Sequence, residues 1–362
     1  MPASPDGWRV VHTMPEPQNK LPGLQIARAV AALTIAYIHS WHVTMPFPPG
    51  TAYPIPFVNQ LPAVELFFAI SGFVIGLIVV KPNFRPTQFL VRRAFRLYPL
   101  WIATSLVFLY LSVTALGLPA RSTPAFLAYS LTLLPTEGYP FYDVGWSLQH
   151  EIAFYMLATV LVPRFGLLGL TTFLCAGTLI DRVVSLPWYL HQYASYYPYF
   201  LAGIAACAAR GHMKFLRAKS LGVWLPAGAG VGVIVLVLAQ VLGAVATPVA
   251  LFLVLVGLAN IHPDEASVAG KTGVLLGDAS YSIYLIHPLV FCYVYAKLQP
   301  PLPPIWSQEL LRFGSIALVC ILAIASWKMF ESPMIRIGNR LARRGPGRGA
   351  PEALPAAAAH FT

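Results

Sequence analysis

Arg28 and His39 stand eleven positions apart in one apolar stretch, about three helical turns or about 16 Å, so both side chains project from one helix face at opposite depths. A guanidinium near the end of such a helix suits a phosphate or simply snorkels to the surface, whereas a neutral imidazole in a dry interior is the usual proton-transfer group. Glu65, just before FFAISGFVIG, reaches a depth comparable to His39, where a carboxylate either orients the imidazole, holds a substrate hydroxyl or serves as a structural partner. Within that run Ser71 and Gly72 allow a second helix to approach closely. Arg92, Arg93 and Arg96 crowd one turn of FLVRRAFRLYPLW. Arg93 and Arg96, three apart, are neighbours on a helical face and suit bidentate recognition of phosphate, the alternative being an anchor to lipid headgroups. In VGWSLQHEIAFY, positions 146, 150 and 154 share one face and 147, 151 and 155 the next. Glu151 thereby comes to about the depth of His39, with Trp146 and His150 as candidates for contact with a substrate. His287, immediately before Pro288, is a further substrate-side candidate, to be weighed as a second acid/base group or as a satisfied link between helices. Glu331, in FESPMIR, is placed to pair with one of the arginines.

Two polar zones follow. Arg28, Arg93 and Arg96 form a basic zone suited to a phosphorylated donor. His39, Glu65 and Glu151 form a zone suited to deprotonating a hydroxyl. About half a bilayer separates them, a distance that an extended pantetheine-like arm spans.

The elements that hold these residues must be membrane helices. Of 362 residues 57% are hydrophobic and only 10% charged, with a mean hydropathy of +0.67. A soluble domain carries about 25% charged residues, so an ordinary water-soluble enzyme is excluded. A crossing needs about 20 apolar residues, and ten stretches qualify: 24–43, 58–80, 97–117, 147–163, 165–181, 194–210, 222–243, 245–261, 275–298 and 307–330. The stretch 124–134 is too short to span and reads as interfacial or re-entrant. With the N-terminus inside, this map puts nineteen of the 24 Lys and Arg residues on the cytoplasmic side and four outside, with Lys328 left within the last span, a positive-inside bias that a missed helix would scramble. The net charge of +11 therefore speaks for membrane orientation rather than for nucleic acid. Four cysteines without CxxC or CxH spacing suggest neither a metal site nor a disulfide framework. Residues 1–22 lack the apolar core of a signal peptide and read as a cytoplasmic segment, 23–336 as the membrane domain, and 337–362 as a disordered cytoplasmic tail. The expected fold is all-α, a polytopic membrane protein with about ten spans and both termini in the cytoplasm.

In order along the chain, Arg28 and His39 in an R-x10-H pattern, FFAISGF, RRAFRLYP, WSLQHEIAFY, SYSIYLIHP and the late ESP together resemble the membrane acyltransferase-3 family, over about residues 22–336. The resemblance implies a ten-helix enzyme of the inner membrane. It would move an acyl group, usually acetyl and sometimes succinyl, from acyl-coenzyme A to a hydroxyl of a glycan or glycolipid such as exopolysaccharide, O-antigen or lipo-oligosaccharide. It further implies functional roles for Arg28, His39, Arg93, Arg96 and Glu151. Glu65 stands where the family commonly has Asp, and His150 precedes Glu151, both modest departures. The resulting expectation is direct transfer: His39 as general base, Glu151 or Glu65 orienting it, and Arg28, Arg93 and Arg96 on the coenzyme A phosphates, with no permanently bound cofactor and no metal. A covalent acyl-histidine intermediate is the variant of this scheme. The rival expectation from another class is a proton-coupled transporter of a glycan precursor or small metabolite, and a third is a non-catalytic membrane subunit working with polysaccharide assembly proteins.

Overall fold

The structure, a computed structural model, describes residues 21–44, 58–81, 84–116, 123–212, 221–238, 241–261, 267–298 and 305–344. The N-terminal segment 1–20 and the tail 345–362, on which two of the expectations above fall, lie outside the described residues. Among the described residues the protein is all-helical, with thirteen α-helices and no strand. They are α1 (Pro22–Thr44), α2 (Ala63–Val79), α3 (Pro86–Leu111), α4 (Pro124–Leu131), α5 (Trp146–Val183), α6 (Trp188–Ala194), α7 (Tyr197–His212), α8 (Leu221–Leu238), α9 (Thr247–Leu258), α10 (Val268–Asp278), α11 (Ser280–Leu298), α12 (Ile305–Ser326) and α13 (Ser332–Arg344).

Local chemistry sets many of these boundaries. Pro86 opens α3 after an extended Arg85, since a proline at the first helical position loses no hydrogen bond and brings its φ preset. Thr123 caps α4 by accepting from the Phe126 amide, and Ser267 caps α10 by accepting from that of Gly270. Because α3 starts at Pro86, Arg92, Arg93 and Arg96 lie inside the helix, ahead of the 97–117 stretch that hydropathy marks as a span. The helix axis therefore fixes their mutual geometry. At the other end of the chain α13 continues to Arg344, past position 337 where the tail was expected to begin.

Among the described residues, four helical segments are long and apolar enough to cross a bilayer: Val58–Val79, Pro86–Ala115, Asp143–Val183 and Glu309–Arg343. The pair α10 and α11, bent by 73°, makes a fifth if counted as one broken span. This is fewer than the ten expected from hydropathy. Segments α7 and α9, at 16 and 12 residues, are shorter than a crossing. The 23 residues of α1 are long enough, but Gln25, Arg28, His39 and Ser40 dilute their apolar character. Asp143–Val183, at 41 residues, measures about 60 Å, twice a hydrocarbon core of about 30 Å. It breaks at Gly166 (φ 66°, ψ −170°), a conformation open to glycine, three residues after Pro163. The break falls at the second residue of the 165–181 stretch, close to the boundary with 147–163 that hydropathy marks. Large apolar side chains such as Leu168, Val183, Leu310 and Met329 stand exposed on the outside of the bundle. Their extent suits lipid rather than water.

The helices around the site are drawn together by small residues. Helix α1 packs on α2, α10 and α11, and α2 packs on α7. A Cβ on Gly203 of α7 would lie 1.8 Å from the Ala69 carbonyl oxygen of α2, and one on Gly72 would lie 2.1 Å from that of Phe200. The two backbones therefore meet through reciprocal glycines, as close helix pairs in membranes do. Gly203→Ala is expected to push α7 off α2 and to destabilise the fold by about 1–3 kcal/mol, as overpacking does. Its half-inactivation temperature in detergent measures this, and a value equal to wild type would refute the close-approach account.

Candidate active site

A cavity of about 80 Å³ opens between α1, α2, α3, α5 and α11. Arg28, Arg93, Arg96, Glu151, Tyr155, Ser71, Ser280, Tyr281 and Tyr284 contribute to its wall, with Phe67, Phe68 and Leu97 supplying apolar surface. All three arginines are at most 7% exposed. The helical spacing of Arg93 and Arg96 turns both toward one space, and Glu151 and Tyr155, four apart on α5, face them.

The carboxylate of Glu151 accepts hydrogen bonds from Ser71 (3.1 Å) and from the Tyr155 hydroxyl. The Arg93 guanidinium lies over the Tyr155 ring, 5.0 Å from its centroid, and over the Phe89 ring at 5.3 Å. This cation–π clamp fixes Arg93 while leaving its charge directed at the cavity. Arg28 is within electrostatic reach of Arg96, Glu331, Glu151 and Asp278. Glu331, 2% exposed, ends a π-helical turn (Trp327–Glu331) between α12 and α13, and one carboxylate oxygen accepts from Ser282 at 2.8 Å. Such π turns re-aim side chains and recur at functional sites.

Among the described residues, Arg96 Nη1, Ser280 Oγ and Glu331 Oε1 are buried without a hydrogen-bond partner. A buried donor left unmade costs about 1–3 kcal/mol, so native proteins rarely keep one without a use. Arg96 and Ser280 both line the cavity, where they offer N–H and O–H groups to an anionic or carbonyl-bearing guest.

His39 does not join the carboxylates. Its Nδ1 lies 2.8 Å from Nε2 of His287, with the two rings 5.0 Å apart between centroids. His287 is fully buried, and its ring lies 5.8 Å from that of Tyr284, one turn earlier on α11, which lines the cavity. The Tyr284 hydroxyl in turn meets Ser147 at 2.8 Å and donates to the Val144 carbonyl at 2.9 Å. The histidine pair thus stands about one turn beyond the cavity wall.

The division into a basic zone and a carboxylate zone is therefore redrawn. Glu151 sits among the arginines, not beside His39, because α3 and α5 run side by side at this depth. Glu65, half-buried, is not part of the cavity wall and acts electrostatically on Tyr196 and Tyr199. Trp146 and His150 are drawn into an aromatic cluster with Phe68 and Tyr196, and both ring nitrogens of His150 lie against backbone carbonyls, those of Trp146 (2.8 Å) and Gln192 (2.7 Å). Neither lines the cavity. Sequence reasoning passed over Tyr155, Ser280, Tyr281 and Tyr284. The helical phase of Glu151 and Tyr155 and the polar run of SYSIYLIHP were the available signals. Among the described residues no group of three His, Cys, Asp or Glu side chains is arranged to hold a metal ion.

The family model for the acyltransferase domain matches residues 21–327, from the start of α1 to the beginning of the π turn. The chain belongs to the acyltransferase-3 family. Every cavity-lining residue falls within the matched part, while Glu331 and α13 lie past it. The chain is 28% identical over 297 residues to the exopolysaccharide production protein ExoZ of Rhizobium meliloti, covering 76% of this chain and 90% of that protein. It is 25% identical over 330 residues to the acyltransferase MdmB of Streptomyces mycarofaciens, covering 80% of this chain and 84% of that one. No solved structure matches the chain. The acyltransferase-3 membership makes the protein an acyltransferase, and its apolar helices make it a membrane protein.

Proposed function

We propose that this acyltransferase moves an acyl group, acetyl in the first place and succinyl as the alternative, from acyl-coenzyme A to a hydroxyl of an exported carbohydrate. Exopolysaccharide, O-antigen and lipo-oligosaccharide are the acceptor classes. The observation that carries the donor assignment is the convergence of Arg28, Arg93 and Arg96 on one cavity whose walls also hold the unpartnered Arg96 Nη1. Three guanidiniums in a buried space suit phosphates better than a neutral ligand. The likeness to ExoZ, a protein named for exopolysaccharide production, supports a carbohydrate acceptor.

In this reading the donor's phosphates sit at the arginines and its thioester reaches toward the histidines. His39 takes the proton of the acceptor hydroxyl while the oxygen attacks the thioester carbonyl. The C–O bond forms, the C–S bond breaks, and the proton passes to the departing thiolate. The enzyme lies in the inner membrane with both termini cytoplasmic, an arrangement that places the arginine end within reach of cytoplasmic acyl-coenzyme A. Membranes containing the protein, given radiolabelled acetyl-coenzyme A with and without bacterial glycan, test the whole. Coenzyme A release tied to labelling of the glycan is expected. Accumulation of a substrate inside vesicles without any label transfer would replace this reading with transport.

A further inference from the structure

The hydrogen-bond chain through His287 assigns protons that the sequence leaves open. His287 Nδ1 lies 3.1 Å from the Ile283 carbonyl oxygen, one turn earlier on α11. A carbonyl only accepts, so Nδ1 of His287 carries the hydrogen. In a neutral ring its Nε2 then holds a lone pair, and that atom faces Nδ1 of His39 at 2.8 Å. His39 must therefore donate from Nδ1, which leaves the basic lone pair on its Nε2.

The geometry points to His287 as the positioning residue for His39, filling with a neutral imidazole the place that a carboxylate takes in a Ser-His-Asp arrangement. This rests on the reading of His39 as general base. The uncharged partner has a physical reason: His287 is 0% exposed inside an apolar bundle, where an unpaired carboxylate would carry a large desolvation cost. Pro288, which follows it, contributes no N–H to the ladder of α11, so the residues around this turn need other restraints. The Ile283 bond and the Tyr142 hydroxyl, which donates to the Leu285 carbonyl, supply them. Neither Glu65 nor Glu151 is needed to orient His39.

Three variants, measured at equal membrane insertion, test this. His287→Leu removes the acceptor at nearly constant apolar volume and is expected to lower kcat about 100-fold, leaving KM for acetyl-coenzyme A within about twofold. His287→Gln can present its amide oxygen where Nε2 stood and is expected to recover kcat to within about tenfold of wild type. A positioning role predicts that recovery, whereas loss of packing alone does not. Wild-type kcat in His287→Leu, or a Gln variant no better than Leu, would overturn the assignment. His39→Ala runs in parallel: if it keeps full transfer, the general-base reading itself falls, and if it is inactive while His287→Leu is normal, only the positioning role falls.

Discussion

Replacing His39 with alanine, in protein inserted at the wild-type level, is expected to lower acyl transfer by about 10²–10⁴-fold, the usual contribution of a positioned general base. The loss should fall on kcat. Arg28 is about 16 Å from His39 along α1, and Arg93 and Arg96 belong to another helix, so the groups assigned to the donor remain in place. KM for acyl-coenzyme A is expected to change little. A labelling experiment separates direct transfer from a covalent acyl-histidine. Wild-type protein given labelled donor without acceptor should stay unlabelled if transfer is direct, and should carry label on His39 if an acyl-enzyme forms. Full transfer by His39→Ala would remove the mechanism at its centre.

Much of this arrangement was legible one helix at a time. The apolar stretches foretold an all-helical membrane protein, and the periodicity of α3 and α5 placed Arg93 beside Arg96 and Glu151 in phase with Tyr155. Depth along a single helix misled at Glu151, because equal depth says nothing about which neighbour a side chain faces. Which helices touch is decided by close approach, through Gly72 and Gly203 between α2 and α7, or Gly277 of α10, where an added Cβ would lie 2.1 Å from the Gln25 carbonyl oxygen of α1. Glycines are frequent in membrane helices, and the sequence does not say which of the 27 meet a partner. The pairing of His39 with His287 was hidden for the same reason. They are 248 positions apart, and nothing local to either marks the other. The break at Gly166 was partly visible, since Pro163 and a dip in hydropathy flank it, whereas the 73° bend between α10 and α11 reads in sequence as the start of one continuous span.

Arg96→Ala is expected to raise KM for acyl-coenzyme A about 10–100-fold with a far smaller change in kcat, since its unpartnered Nη1 faces the cavity together with Ser280. Arg96→Lys should recover only part of this, because a single ammonium cannot reproduce a planar two-donor fork. One confounding effect can be removed. Arg96 and Arg28 both act electrostatically on Glu331, and taking away one cation leaves a buried carboxylate short of compensation, a change that costs about 3–5 kcal/mol in buried pairs. Part of any loss in Arg96→Ala could then be instability rather than weaker donor binding. Adding Glu331→Gln neutralises the stranded charge while keeping an acceptor for Ser282, which bonds that side chain at 2.8 Å. The double variant should regain thermal stability in detergent and still show the raised KM. A KM restored to the wild-type value in the double variant would mean that Arg96 serves only to compensate Glu331, and the donor's phosphates would then have to be assigned to Arg28 and Arg93.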